Sequence, residues 1–390
     1  MADAALLTPA NEGELADMLA SACADKRPME IVGGGTKVNI CRPQRFTQKI
    51  STAKLVGVVD YDPAELVLTV RPGEKLGAIE ALLAQSNQML AFEPFDFGPV
   101  FGQPAGASTI GGVVAAGLAG SRRLSAGNVR DHMLGFTAVS GAGQVFKAGG
   151  RVVKNVTGYD VSKLMAGSWG RLAVMTEMTL KVLPRPRTTR TLALRGLSLA
   201  DGAQAMTRAM RSQAELAAAA FVPGDAPITA LRLEGSSPSV EARTKLLVEL
   251  LGALDPMDDA DASPFWAGVR DGSRLGQGGP DDVLWRISVP LTAGGGVAAS
   301  VTELGGKAML DWAGGLVWAL APSTACAKIR EIAEAAGGHA LMVRAPASVR
   351  RTTPALHPEA PGVVALSARV KAAFDPNSIL DPQRFSEAAR

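Results

Sequence analysis

About 16 of the chain's 43 glycines fall between positions 98 and 170, roughly twice their average density along the sequence. Glycine has no Cβ, so it accepts positive φ and lets a backbone N–H come close to a ligand, but it weakens ordinary helices and strands. A stretch this rich in glycine inside a folded domain points either to many tight turns or to a bound group laid along the main chain. No spacing repeats at a fixed period, which argues against a solenoid.

At 390 residues, the chain should hold about two or three domains of roughly 150 residues each. A hydrophobic fraction of 47% with 20% charged residues is that of a packed protein, not a disordered one. Lys+Arg 40 against Asp+Glu 37 leaves a net charge of +3, too nearly neutral for binding nucleic acid by phosphate neutralisation. Cys23, Cys41 and Cys326 lie far apart with no C-x-x-C. That excludes a disulfide framework, and an iron–sulfur or zinc site built from this chain alone; no metal is expected. The N-terminus lacks a basic segment followed by an apolar one, so no signal peptide is legible. The longest apolar stretch, residues 110–119, contains three glycines and is too short to span about 30 Å of hydrocarbon. The expectation is a soluble protein of a reducing compartment.

The first 90 residues read as α/β. Asn11 and Glu14 form a capping-box pair ahead of Leu15, Met18, Leu19 and Ala22 on one helical face. Met29, Glu30, Ile31 and Val32 make a short strand, and residues 66–70 a buried one closed by the turn Arg71-Pro72-Gly73-Glu74. Leu76, Ile79, Leu82 and Leu83 mark an amphipathic helix ending near Gln85. The first strand opens into Gly33-Gly34-Gly35-Thr36-Lys37. Val38 stands where G-x-G-x-x-G needs its third glycine, and no Walker loop is present. Two readings remain for this loop, an anion-binding nest of successive N–H groups and a mobile glycine turn.

Further segments follow in order: Gly106-Ala107-Ser108-Thr109-Ile110-Gly111-Gly112-Val113-Val114-Ala115, then Gly127-Asn128-Val129-Arg130-Asp131, then Val153-Lys154-Asn155-Val156-Thr157-Gly158-Tyr159-Asp160, then Gly167-Ser168-Trp169-Gly170-Arg171-Leu172. With the first loop, this series resembles the FAD domain of the vanillyl-alcohol-oxidase/para-cresol-methylhydroxylase (PCMH) flavoproteins. Within that superfamily it is most similar to the FAD-binding E-subunit family of glycolate oxidase complexes. The likeness runs from Pro9 to near Pro186, and is looser at Leu284-Trp285-Arg286-Ile287-Ser288. It returns at Gly337-Gly338-His339 and in the tail Phe374-Asp375-Pro376-Asn377-Ser378-Ile379-Leu380-Asp381-Pro382.

The resemblance implies an α+β fold: a two-part FAD-binding domain at residues 1–186, with residues 336–390 returning to it, and an α+β cap domain at 187–335 folded over the flavin face. It implies that Gly33, Gly34, Gly35 and Thr36, with Lys37 at the loop's end, cradle the FAD pyrophosphate. Ser108, Thr109, Ile110, Gly111 and Gly112 approach from the second side and run under the flavin end. Asn128 and Asp131 lie in the following loop, and Gly170 to Val174 run along the adenosine side. Relatives often have Gly-Ser-Glu-Gly where Trp169 stands here, and a glycine at Ala173. The first loop also lacks the histidine that members with covalently attached flavin carry nearby, so FAD should be held non-covalently.

The implied activity is that of the FAD-binding subunit of a glycolate (2-hydroxyacid) oxidase complex. It oxidises glycolate to glyoxylate and passes electrons to a second FAD-bearing subunit and an iron–sulfur subunit. The expected location is the cytoplasm, with peripheral attachment at the inner membrane through the complex. Two alternatives stay open, a stand-alone D-2-hydroxyacid (D-lactate) dehydrogenase and a flavin-bearing structural subunit without turnover. Hydroxyacid-oxidising relatives usually carry H-G-D-G-N-x-H, and this chain has no such cluster among His132, His339 and His357. His132 reads as a packing residue and His357 as a loop residue. His339 is the candidate catalytic base, and Arg286 the candidate fork for a substrate carboxylate, with an exposed sheet-face arginine as the plainer reading. Arg122-Arg123 reads as a solvated pair, and Tyr159 as half-buried packing.

Beyond Arg187, residues 199–220 read as an alanine-rich helix, 228–233 as a strand and 241–251 as a helix. Residues 254–282, rich in Asp, Gly, Pro and Ser, read as a mobile loop with a short helix around Trp266. Residues 284–290 and 316–320 are further strands, and 323–336 a helix.

Overall fold

The structure is a computed structural model that describes residues 5–43, 48–150, 159–381 and 384–385. Two compact units emerge, each discontinuous in sequence. One takes Met1–Ala119, Gly127–Arg185 and Pro358–Arg390, the other Gly120–Ala126 and Pro186–His357. Of the third sequence motif, residues 153–158 lie outside the described residues.

In the first unit the helix Glu12–Ala24 starts as its sequence predicts. The Asn11 side chain accepts from the Glu14 N–H at 3.0 Å, and the Glu14 carboxylate reaches back to the Ala10 N–H at 2.8 Å. Its buried stripe, Leu15, Leu19 and Ala22, packs in one cluster with Met29, Ile50 and Val139. Met29–Val32 lies in a parallel sheet ordered Ala5–Leu7, Gln48–Ser51, Met29–Val32. A five-stranded antiparallel sheet runs Val58–Asp62, Val67–Val70, Ala173–Lys181, Met133–Ser140, Val145–Gly149. Val67–Val70 is buried at every residue, and its one polar side chain, Thr69, lies 3.1 Å from Thr179 Oγ1.

The tail returns to this unit after the helix Pro361–Phe374. The buried Asp375 carboxylate accepts from the Ile379 and Leu380 N–H groups at 2.9 and 2.8 Å and from Lys371 Nζ at 2.7 Å. That turn sets Leu380 in a parallel bridge with Met29. Tyr159 is 94% exposed, not half-buried. The short helix after it, Ser162–Met165, buries Ser162 and Met165 and leaves the ring outside.

The second unit is built on an eight-stranded sheet ordered Asp255–Met257, Thr188–Arg195, Ile228–Gly235, Ala218–Val222, Lys307–Asp311, Leu316–Pro322, Asp282–Ser288, His339–Arg344. All its pairings are antiparallel. Strand alternation puts Val283, Trp285 and Ile287 in the core shared with residues of the helices Leu199–Met210, Gly294–Glu303 and Cys326–Ala335. Leu284 and Arg286 point to the opposite face.

Three expectations change here. The 199–220 helix stops at Met210, and Ala218–Val222 is a strand buried at every residue; alanine fits either state, and burial between two neighbouring strands decides. Residues 254–282 are ordered around the thirteen-residue helix Asp259–Asp271. Its buried Ala262, Phe265, Trp266 and Val269 fall at helical spacing, a stripe obscured by the polar residues between them. Finally, residues 336–357 stay with the second unit, because His339–Arg344 pairs with Asp282–Ser288. The chain returns to the first unit at Pro358. No helix among the described residues is long and apolar enough to cross a membrane.

Candidate functional site

The strand Met29–Val32 ends in the 33–37 loop, and the helix Ile110–Ala116 begins opposite it, with Thr109 as N-cap. Between them lies an open cleft lined by Gly33, Gly34, Gly35, Thr36 and Lys37 on one side and by Thr109 and Gly112 on the other. Trp169, Asp381 and Arg384 complete it. An adjoining cleft of about 440 Å³ is lined by Gly111, Gly112, Gly170, Ala173 and Val174, and it shares Gly33 and Trp169 with the first. The two form one groove.

Glycine is required here for identifiable reasons. A Cβ on Gly34 would overlap the Ala107 carbonyl oxygen, so the two loops meet through bare main chain. Gly35 has φ +73°, in the left-handed region. Gly111 donates its N–H to Pro72 O at 2.9 Å, and a Cβ there would lie 2.7 Å from Pro72 Cβ; its close approach is to the protein itself. A Cβ on Gly112 would meet nothing nearer than Thr109 Oγ1 at 3.5 Å and Lys37 Nζ at 3.9 Å.

Desolvation pulls the Lys37 ammonium down to about 8 against the opposing attraction of Asp96. Lys37 Nζ also lies over the Phe97 ring, 5.0 Å from its centroid. Burial works against the Asp96 carboxylate, yet hydrogen bonds from Gly98 N–H (2.9 Å), Gly106 N–H (2.6 Å) and Ser108 Oγ (2.7 Å) outweigh it and hold its pKa below the usual range. Ser108 Oγ lies 3.1 Å from Thr36 Oγ1, which ties this anionic knot to the loop. At the other end, Arg384 pairs with Glu30 at 3.4 Å and Asp381 at 3.3 Å. Burial pushes Asp381 up to about 6, against the pull of Arg384.

The structure brings Gly33, Gly34, Gly35, Thr36, Lys37, Thr109, Gly111, Gly112, Gly170 and Val174 to the groove. Ser108 supports it from behind, and Ile110 belongs to the hydrophobic core. Asn128 and Asp131 are placed elsewhere. Asn128 Oδ1 accepts from Arg130 N–H at 2.9 Å and Asp131 Oδ2 from Asn128 N–H at 2.9 Å, a capping box for the helix Val129–His132. His132 is buried against Phe92, with Nδ1 3.2 Å from Lys181 O, the packing role its position predicts. Sequence reasoning missed Asp96, Asp381 and Arg384. The tail motif was a pointer to Asp381; nothing local marked the others.

In the second unit Arg286 is buried on the sheet, not exposed. Its guanidinium lies 4.7 Å from the Trp312 ring and 5.6 Å from that of Trp318. Desolvation lowers its pKa to about 9, partly offset by Asp311. His339 begins the neighbouring strand opposite Ser288. His339 is the exposed end of its strand, and partial desolvation, His357, Arg123 and Arg286 lower its pKa from the ordinary imidazole value. His357 Nδ1 accepts from the Ala340 N–H at 3.3 Å.

The groove suits an anionic dinucleotide. Bare main chain, a left-handed glycine and a lysine converge where a pyrophosphate would need close N–H donors and positive charge, with Arg384 lining the far side. A model of the FAD binding domain matches residues 4–149. Para-cresol methylhydroxylase superposes with a TM-score of 0.70, at 15% identity over 98% of this chain and 88% of that one. 6-Hydroxy-D-nicotine oxidase from Arthrobacter nicotinovorans gives 0.64, at 14% identity over 99% and 93%. The fold is that of para-cresol methylhydroxylase, and the groove lies in a unit whose N-terminal part matches the FAD binding domain. Glycolate oxidase subunit GlcE of Escherichia coli (strain K12) is 38% identical over 326 residues, 84% of this chain and 85% of that protein, and the chain belongs to that family. Glycolate oxidase subunit GlcD of Bacillus subtilis is 30% identical over 193 residues, 48% of this chain and 38% of that protein.

Proposed function

We propose that this chain is the FAD-bearing, E-type subunit of a glycolate oxidase complex, oxidising glycolate to glyoxylate and passing electrons to a second flavin subunit and an iron–sulfur subunit. The observation that carries this reading is a groove fitted to a dinucleotide in a chain similar over most of its length to a glycolate oxidase subunit. The first unit is the FAD-binding domain and the second the substrate domain. Bound FAD supplies hydride and electron acceptance. The 33–36 main chain and Lys37 hold its pyrophosphate. Arg286 binds the substrate carboxylate, and the neutral ring of His339 takes the hydroxyl proton at a ring nitrogen. The complex works in the cytoplasm, attached peripherally at the inner membrane.

A stand-alone D-lactate dehydrogenase is the second reading. It draws on the D-lactate dehydrogenase of Anaerostipes hadrus, 34% identical over 39% of this chain and 30% of that protein. The missing H-G-D-G-N-x-H cluster and the absence of any Cys-x-x-Cys favour a subunit. The test is dye reduction with glycolate and with D-lactate, by the purified chain and by the reconstituted complex. The subunit reading expects very slow turnover alone and activity on reconstitution. Equal rates from the single chain would replace it with the stand-alone enzyme.

A further inference from the structure

The helix Ile110–Ala116 starts at the groove, and its last turn is clipped to the segment around Trp169. Gly167 N–H donates to Val114 O at 3.0 Å, and Trp169 N–H donates to Ala115 O at 2.8 Å. The approach is so close that a Cβ on Gly117 would lie 2.7 Å from Gly167 Cα. Trp169 is held there at φ +57°, in the left-handed region, where a bulky residue is a strained outlier. Glycine meets that backbone without steric penalty, and the chain uses it on either side, at Gly167 (φ +85°) and Gly170 (φ +73°). What a tryptophan adds at this position is its ring.

That ring is backed. The indole lies against Phe385, with 5.1 Å between ring centroids, and the Arg171 guanidinium lies over the same phenyl ring at 5.6 Å. Phe385 is buried, whereas Trp169 is only half-buried and lines both clefts of the groove. The first cleft carries the 33–36 main chain and Lys37. The second is lined by Ala173, Val174 and Met175 of the middle strand of the five-stranded sheet, with Ile31 and Pro72. Trp169 therefore stands where an anion-binding nest gives way to an apolar slot, the place a flat ring attached to a pyrophosphate would occupy.

We propose that Trp169, backed by Phe385, is the stacking platform for the adenine ring of FAD. The reacting ring of the cofactor has to meet substrate, and the substrate groups proposed above, Arg286 and His339, belong to the second unit. A slot walled by the first unit alone suits the ring that does no chemistry. That assignment of the two ends rests on the 2-hydroxyacid reading; the platform itself rests on the groove. Offset or tilted stacking on an indole holds a base without reading its edge, so Trp169 governs how tightly the dinucleotide is held and leaves the electron chemistry alone.

The test is calorimetric titration of the flavin-stripped full-length chain with FAD, ADP and FMN, beside a thermal melt of each variant. Trp169→Leu should weaken FAD and ADP on the order of tenfold and leave FMN unchanged. Trp169→Phe keeps a ring and should recover most of the loss. Trp169→Gly relieves the positive φ, so it should melt no lower than Trp169→Leu while binding ADP equally poorly. ADP binding should also quench part of the indole emission of the parental chain, and that part should be missing in Trp169→Phe. Parental ADP affinity in Trp169→Leu, no ADP binding by a parental chain that binds FAD, or no recovery in Trp169→Phe would overturn the platform. Weakened FMN with ADP unchanged would put the flavin at Trp169 and overturn the assignment, and equal losses for both would mark a fold defect and overturn it too. Weakened ADP in Trp169→Leu, in a chain whose reconstituted complex does not turn over glycolate, would overturn the activity reading and support the platform.

Discussion

The main chain at Gly34 lies so close to the carbonyl oxygen of Ala107 that no methyl group fits between them. The two walls of the dinucleotide groove therefore touch through backbone, and their spacing depends on a missing Cβ. Gly34→Ala should force the walls apart at a cost of about 1–3 kcal/mol, lowering both melting temperature and FAD occupancy. A thermal melt and the flavin-to-protein absorbance ratio read both, and a variant unchanged in either would show that the walls are not in contact.

Gly112 should behave differently. Its Cβ position is open except toward Lys37 Nζ at 3.9 Å and Thr109 Oγ1 at 3.5 Å. Gly112→Val should fold with a near-parental melting temperature while its side chain occupies the groove, giving apo protein. Circular dichroism and bound flavin separate this from Gly34→Ala, and full flavin loading would mean that the helix Ile110–Ala116 only packs.

Lys37 predicts opposite trends in two measurements. Burial lowers its pKa in the folded chain to about 8, below the 10.5 of an ordinary lysine. Between those values the unfolded chain binds the extra proton, so the stability of the apo chain should rise with pH across that window. FAD affinity should fall across the same window as the ammonium loses its charge. Lys37→Met should remove both dependences and weaken FAD on the order of ten- to a hundred-fold, from the roughly 1.5–3 kcal/mol of a charge-assisted contact. Fluorescence titration of FAD against pH checks the sign.

The 33–37 loop offers glycines, a threonine and a lysine and no histidine. The purified chain should be yellow, with one FAD released into the supernatant on acid or heat precipitation. Flavin that stays with the pellet would mean a covalent link.

The groove was legible because its glycine segments come in order along the chain, and because at Gly34 and Gly111 a side chain would collide with neighbouring backbone. Asn128 and Asp131 form a capping box, a use of these residue types that sequence alone does not separate from a ligand loop. Arg384 had no local signature, and the tail motif marked Asp381 without its place at the groove, which depends on a chain reversal around Asp375. The helix Asp259–Asp271 shows the opposite case: its apolar stripe was present in the sequence, and polar composition outweighed it. Arg286 looked like a surface residue because a sequence gives the alternation of a strand but not what covers its second face.

Glu30 and Arg384 are 354 positions apart, yet they meet beside the strand that carries the 33–37 loop. Translation proceeds from the N-terminus, so the ribosome makes the near wall of the groove well before the residues that line its far side. Everything belonging to the second unit is synthesised in between. A chain halted before Asp375 would carry both glycine loops without Asp381 and Arg384 at the groove, and is expected to hold flavin less well than the full chain.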